Sequence, residues 1–418
     1  MGQKKITKSA WSWAFYDWAN SALATTVMAG FGPLFFKSFW ASDLDAVMST
    51  WVWGATNSLV GLVIGILAPI LGAYSDIGRN RKRFLYFFAF IGILSTGYLY
   101  FIPEGEWFYA MLFYSLAVIG FSGGNIFYDS LLIFVSDSNE RNRVSSLGFS
   151  LGYLGGGLLF VINVFMYLNP SWFGFESEIQ AILWSFLTVA FWWALFSLPT
   201  LLNVKEFGNT DINLNYISMT KKAFLNVKST ILEIRKYRKA AIFLISYFLY
   251  IDGVDTIIRM ATSYGSDIGL EMSSMITALI ITQFIGFPST LLFGVYADKL
   301  GFKRILTIGI FVYIFICFYS TFMTTALEFY ILASIVGLVQ GGVQAISRSF
   351  FSSLIPTEKA AEFFGFFNLI GKTSVVIGPI LVSSVAMALG NPRMGILSLL
   401  LLFIPGLILL WKVPEEDI

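Results

Sequence analysis

Apolar stretches of about 20 residues, the length a helix needs to cross the hydrocarbon core of a bilayer, recur from one end of this chain to the other. Twelve can be read, at 12–39, 50–74, 84–102, 108–135, 144–168, 180–202, 240–265, 273–296, 305–323, 328–352, 363–389 and 393–411. The composition demands the same solvent. Of the 418 residues 57% are apolar and 12% charged, against about 25% charged in an ordinary soluble domain, and the mean hydropathy is +0.75. A water-soluble globule could neither hide that apolar surface nor cover itself with so few charges. A soluble enzyme, a nucleic-acid binder and a disordered chain are excluded. One cysteine, Cys317, and no histidine leave no disulfide framework, no Cys or His metal site and no imidazole chemistry, so no cofactor is expected. The first apolar run follows a short basic tail (Lys4, Lys5, Lys8) and is far too long for the h-region of a cleaved signal peptide.

The positions of the charges order these spans. With the loops assigned alternately to two sides, the 27 Lys and Arg residues fall on the side of the N-terminus, except Lys37 and Arg393 opposite and Arg259, Arg348 and Lys372 inside spans. The opposite side carries Asp43, Asp45, Glu104, Glu106, Glu176, Glu178, Asp267, Glu271 and Glu328. An error of one span would scramble this alternation. The bias predicts twelve spans with both termini in the cytoplasm; below, the two faces are called basic and acidic. One long loop, 203–239, separates an N-terminal six-span bundle (1–202) from a C-terminal one (240–418). Within it Ile217, Phe224, Val227, Ile231 and Ile234 recur at helical spacing among basic residues, which predicts an amphipathic helix on the inner leaflet; a solvated linker helix is the alternative.

The two halves echo each other. Gly72-Ala-Tyr-Ser-Asp76 follows span 2, Gly294-Val-Tyr-Ala-Asp298 follows span 8, and both run into basic clusters, Arg79, Arg81, Lys82 and Arg83 in one and Lys299, Lys303 and Arg304 in the other. Tyr16-Asp17 in span 1 mirrors Tyr250-Ile-Asp252 in span 7, Asp129-Ser130 in span 4 mirrors Arg348-Ser349 in span 10, and Gly152 in span 5 mirrors Gly371 in span 11. Two parallel six-span repeats are the layout of the major facilitator fold. The glycine lets helix ends approach closely. The aspartate can accept bonds from a neighbouring helix N-terminus and pair with a basic residue. Asp76, Arg79 and Asp298 are therefore candidate gating residues.

Seven ionisable side chains fall inside the spans: Asp17, Asp129, Asp252, Asp255, Arg259, Arg348 and Lys372. Charges in lipid are costly and mark a cavity or transport path, and Asp17, Asp129, Asp252 and Arg348 place one on each of spans 1, 4, 7 and 10. At about 100° per residue, Asp252, Asp255 and Arg259 share one face of span 7, and Asp255 can pair with Arg259 at i,i+4. Gln340, Gln344 and Ser347 form a polar stripe beside Arg348, Asn125 stacks on Asp129, Asn20 shares a face with Asp17, and Asn368 stacks on Lys372. The candidate substrate-binding set is Asp17, Asn20, Asn125, Asp252, Asp255, Gln340, Gln344, Asn368 and Lys372. Asp129 and Arg348 lie nearer the basic ends and suit a gate. For Asp252, Asp255 and Lys372 the alternative is a buried ion pair that fixes helix packing. Carboxylates and a basic side chain together suit a zwitterion, with Trp13, Trp18, Tyr16, Tyr128 and Tyr250 available as cation–π faces. Without histidine, carboxylates, with Asp252 and Asp255 foremost, remain to carry a coupled proton.

Three blocks carry a resemblance. Span 1 reads WAFYDWANSALATT, span 7 reads YFLYIDGVDTIIRMATSYG, and spans 10 and 11 read GLVQGGVQAISRSFFSSLIPTEKAAEFFGFFNLIGKTSVVIGP. The chain resembles the vacuole effluxer branch of the major facilitator superfamily, a fungal vacuolar amino-acid exporter and its bacterial relatives, over nearly its whole length. The resemblance implies twelve spans, secondary transport and amino-acid efflux. It also makes Asp17, Asn20, Asp252, Gln340, Gln344, Arg348, Asn368 and Lys372 the polar members of its motifs. The compact loops and the lack of an Asn-x-Ser/Thr acceptor favour a bacterial cell membrane. The expectation is an all-α membrane protein of two pseudo-symmetric six-helix bundles, monomeric in the lipid bilayer. It moves a small zwitterionic solute by alternating access, with Asp252 and Asp255 holding an ammonium or proton and Lys372 and Arg348 a carboxylate. A sugar, drug or lipid is the alternative cargo. An enzyme is not expected, for no Ser or Asp has a base partner.

Overall fold

Inside a bilayer every backbone N–H and C=O must find its partner within the protein, and helices supply it. The computed structural model describes residues 6–44, 46–78, 80–206, 237–373 and 377–414. Among these described residues all regular structure is helical. Ten long helices run in order: α1 (Lys8–Trp40), α2 (Ala46–Gly78), α3 (Arg81–Phe101), α4 (Trp107–Val135), α5 (Arg141–Leu168), α6 (Glu178–Asn203), α7 (Arg238–Asp267), α8 (Met272–Leu300), α9 (Phe302–Ser320) and α10 (Ala326–Ser353). They correspond to spans 1 to 10. The stretch expected as span 11 appears as two shorter helices, α11 (Ala360–Thr373) and α12 (Ile377–Leu389), and α13 (Pro392–Trp411) closes the chain. Among the described residues, eleven helices are long and apolar enough to cross a membrane. Arg79 and the amphipathic stretch 217–234 lie outside the described residues.

Local chemistry sets the helix starts. Thr7 Oγ1 accepts from the Ala10 N–H to begin α1, and Ser177 Oγ accepts from the Gln180 N–H to begin α6. Thr325 and Glu328 form a reciprocal capping box at the start of α10, so two otherwise orphaned N–H groups find acceptors. Helix α1 departs from ideal winding, with wide π turns over Leu23–Gly30 and Phe36–Trp40 on either side of a short α segment carrying Pro33. Such turns relieve the ladder where a donor is missing.

Two apolar clusters form, one drawn from residues between Ala10 and Val204 and one from residues between Ala240 and Val413. They meet through close helix pairs, α2 with α11 and α5 with α8 and α10. Glycines allow it. A Cβ on Gly365 of α11 would lie 2.6 Å from the Ala68 carbonyl oxygen and 2.7 Å from the Pro69 Cα of α2, and one on Gly294 of α8 would lie 2.6 Å from Ser146 Oγ of α5. Gly72, the first residue of the repeated loop motif, stands against the backbone of Ala361 in the same way. These approaches lie in the basic-side parts of the helices, whereas α12, on the acidic side, packs on α7 and the first turns of α13.

Gly365→Val should therefore destabilise the protein by about 1–3 kcal/mol through overpacking. Gly54→Ala, where a Cβ meets nothing within 4 Å, should change stability by no more than about 0.5 kcal/mol. Thermal unfolding of the two purified variants in detergent separates the outcomes.

Candidate functional site

The site is assembled around one side chain. Arg348, about four-fifths of the way along α10, is 2% exposed, and a guanidinium so buried has five donors to place. Its Nη1 donates to Asp129 Oδ1 of α4 at 3.0 Å and lies 3.6 Å from Asp17 Oδ2 of α1. Its Nε donates to Ser145 Oγ at 3.0 Å and its Nη2 to the Ser145 carbonyl at 2.8 Å, both on α5. The guanidinium carbon lies 4.2, 4.9 and 5.4 Å from the ring centroids of Phe149, Trp13 and Tyr128. One residue of the C-terminal half thus engages three helices of the N-terminal half by charge, hydrogen bond and cation–π contact.

The acids are themselves held. The Tyr128 hydroxyl donates to Asp17 Oδ2 at 2.8 Å, and its ring stacks on Trp13 at 4.3 Å. The Asn368 amide of α11 donates to Asp129 Oδ2 at 3.2 Å. Asp17, Asp129, Arg348 and Asn368 therefore form one cluster in which two carboxylates converge on one guanidinium.

Nearer the basic face the two copies of the loop motif make matching joints. Asp76 accepts from the Ala361 and Glu362 N–H groups at 3.2 and 2.8 Å, at the first turn of α11, and pairs with Arg81. The helix N-terminus stabilises the carboxylate. Arg81 also bonds Glu206 at 2.9 Å. The exposed Asp298 accepts from the Asn142 amide at the start of α5 at 2.9 Å, and Asn142 Oδ1 in turn accepts from the Ser349 hydroxyl at 2.7 Å. Each motif end of one half thus meets the N-terminus of the mirrored helix in the other.

The deeper polar residues part company. Asn20 donates to Asn125 Oδ1 at 2.7 Å, tying α1 to α4. Gln340 and Gln344 are half-buried on α10, and neither makes a hydrogen bond with a described residue, whereas Ser347 of the same stripe is buried and bonded to the Tyr250 hydroxyl. Asp255 is half-buried on α7.

Two expectations need correction. Asp252 does not share an open face with Asp255. It is fully buried, and both its oxygens accept from the Gly378 N–H of α12 at 3.0 and 2.9 Å, with the Thr256 hydroxyl 3.4 Å away. The bonds tie α7 to α12 through a backbone amide. Arg259, expected to pair with Asp255, forms no such ion pair; it is exposed. The Lys372 side chain lies outside the described residues.

The model of the family described as vacuole effluxer Atg22 like matches residues 47–417. The chain belongs to this family. An uncharacterized MFS-type transporter of Bacillus subtilis (strain 168), YxiO, is 40% identical over 421 residues, covering 99% of this chain and 96% of that one. Autophagy-related protein 22 of Saccharomyces cerevisiae (strain ATCC 204508 / S288c) is 27% identical over 73% of this chain and 66% of its own. This chain spans about half the length of the Yarrowia lipolytica protein of the same name, at 51%. Among solved structures, the human organic anion transporter MFSD10 superposes with a TM-score of 0.74 at 12% identity, over 98% of this chain and all of that one. The proton:xylose symporter XylE superposes at 0.70 and 13%, over 98% and 95%. At such identities the likeness establishes the fold. This effluxer-family chain is a multi-pass membrane transporter of the major facilitator superfamily, not an enzyme.

Several members of its site were not singled out from the sequence. Ser145, Phe149, Asn142, Arg81 and Glu206 carry ordinary side chains for helix ends and walls, and only the third dimension brings them together. Arg81 and Glu206 had a weak signal, a basic cluster and an acid each just beyond a span. Because Arg348 neutralises two buried acids, Arg348→Ala should cost about 3–5 kcal/mol, and Asp129→Asn in the same chain should recover part of that loss. Arg348→Lys keeps the charge but not the fork that reaches Ser145, and should remain clearly less stable than wild type. A double-mutant cycle by chemical unfolding in detergent reads the coupling.

Proposed function

We propose that this protein is a secondary transporter that moves a small zwitterionic solute, an amino acid or close analogue, across the cell membrane by alternating access. The N-terminal (1–202) and C-terminal (240–418) bundles rock about the cluster at Arg348, joined by the linker 203–239. The basic face is cytoplasmic, with both termini there, and the protein works as a monomer.

The observation that carries this reading is where the halves touch. Every hydrogen bond and ion pair between them among the described residues lies from about mid-membrane to the basic face, through Asp76, Asn142, Ser145, Ser150, Asp298, Arg348 and Asn368. Such a contact closes one side and leaves the other to open. Polar and charged joints suit a gate, because water can replace each partner once the halves separate. Asp255, Gln340, Gln344 and the Asn20–Asn125 pair lie one helical turn or more from the Arg348 cluster toward the acidic face, where a solute entering from that face would meet them. Asp255 binds the ammonium group in this scheme. Asp252 serves as a helix cap, and the proton, if one is coupled, is taken by the Asp17–Asp129 pair that shares one guanidinium. The family description, an effluxer, supports export.

Reconstituted protein should exchange radiolabelled amino acid for unlabelled amino acid across proteoliposomes. Asp255→Asn should lower that exchange by about tenfold or more, the worth of one charge-assisted hydrogen bond, while leaving the protein folded. Exchange of a sugar or a nucleoside, with no amino acid accepted, would overturn the assignment of cargo.

A further inference from the structure

We infer that Tyr153 of α5, with Gln340 and Gln344 of α10, forms a neutral hydrogen-bonding subsite that straddles the two halves and takes an uncharged polar group of the solute, the hydroxyl or carboxamide of its side chain. The inference rests on the zwitterion reading above and deepens it by naming which amino acids fit. Contact between the halves brings the three residues together. The Tyr153 ring is seated in a notch made by two glycines of the opposite half. A Cβ on Gly286 of α8 would lie 3.0 Å from its Cδ1 and 3.1 Å from its Cγ, and one on Gly341 of α10 would collide with its Cε2. About one turn earlier on α5 the Ser150 hydroxyl donates to the carbonyl of Phe287, the neighbour of Gly286, at 2.6 Å. The Tyr153 hydroxyl, on the carbon next to Cε2, is thereby held against the segment of α10 that carries Gln340 and Gln344.

None of the three faces lipid. At about 100° per residue, the exposed Leu158, Ile162 and Phe165 of α5 point about 120–180° away from Tyr153, and Leu168, the last residue of that helix, about 60°. By the same winding, the exposed Leu327, Ile331 and Leu338 of α10 point about 100–180° away from Gln340 and Gln344. Nor are the three spent on the protein. None makes a hydrogen bond with a described residue, and none of their polar atoms is sealed from solvent. Their neighbours further along α10 differ, for Ser347 is answered by Tyr250, and Arg348 by Asp129 and Ser145. Polar groups left without a protein partner where two bundles pack are costly unless water or a ligand answers them.

The chemistry selects the ligand. A phenol hydroxyl and two primary amides offer donors and acceptors without a formal charge. An incoming hydroxyl or carboxamide finds both. An aliphatic group of the same size strips the water from these side chains and returns no bond, which is how a polar site rejects an apolar isostere. One partner stands on the N-terminal half and two on the C-terminal half, so an occupant bonded to both bridges the bundles at the point where the Tyr153 ring already joins them.

The test uses the full chain in detergent, with ligand-induced thermal stabilisation by two nearly isosteric pairs, L-threonine with L-valine and L-asparagine with L-leucine. Wild type should bind the polar member of each pair about tenfold more tightly or better. Tyr153→Phe keeps the ring in its notch and removes only the hydroxyl. In that variant the apparent Kd for threonine and asparagine should rise about fivefold or more, with valine and leucine unchanged. The ligand-free melting temperature should hold, because the lost hydroxyl bonds nothing in the protein. Gln344→Met, of similar size, should act in the same direction. Equal losses for both members of a pair, no loss in either variant, or a lowered ligand-free melting temperature in Tyr153→Phe overturns the subsite while leaving the zwitterion reading in place. Wild type that binds valine and leucine as tightly as their polar partners does the same. Wild type stabilised by none of the four amino acids removes both.

Discussion

A guanidinium buried between the two halves of a membrane protein is tolerable only when its charge and its donors are all answered. In this protein the answers to Arg348 come from α1, α4 and α5 of the opposite half. That requirement positions the two bundles. It draws α10 against α5, sets Asp17 and Asp129 side by side, and stacks Trp13 on Tyr128 to form one wall of the cation's box. The Coulomb attraction inside such a site is large, but so is the cost of removing the charges from water. The net contribution to stability is therefore modest, while the loss on breaking only one partner is severe. A contact of that kind favours one arrangement over others without locking it, which is what a transporter that must pass between two states requires.

Internal symmetry gives the clamp its supports. Asp76 and Asp298 stand at equivalent ends of equivalent helices, and each reaches the start of the mirrored helix in the other half, α11 or α5. The chemistry differs. Asp76 takes backbone amides directly and pairs with Arg81, whereas Asp298 takes the side-chain amide of Asn142 and remains exposed. One joint is buried and made by an ion pair, the other exposed and made by a side-chain amide. The glycine four residues before each aspartate, Gly72 or Gly294, provides the close approach on which both depend.

Much of this was legible in the sequence because the bilayer imposes strong rules. Span lengths, the alternation of basic and acidic loops and the two copies of the loop motif each follow from solvent physics, and α1 to α10 lie within a few residues of where hydropathy places them. The importance of Asp17, Asp129 and Arg348 was also visible, since ions are rare in lipid. Their partners were not. Ser145 contributes a carbonyl and Gly378 an N–H, and backbone groups carry no sequence signature. The face of α7 misled for a related reason. Asp252 and Arg259 are two helical turns apart and share an azimuth, yet one is packed under α12 and the other is exposed. Helical periodicity specifies direction, and only the neighbours decide burial.

The central claim is that Arg348 holds the basic face shut, and a distance measured across that face tests it most directly. Spin labels at Arg83→Cys and Glu358→Cys, both exposed, bracket the junction of α2 and α11, and the native Cys317 is buried. Pulsed dipolar spectroscopy on this pair in nanodiscs should give one short, narrow distance distribution with Arg348 in place. With Arg348→Ala added, a second, longer population should appear while the protein stays folded. A distribution that is the same with and without Arg348 would contradict the account.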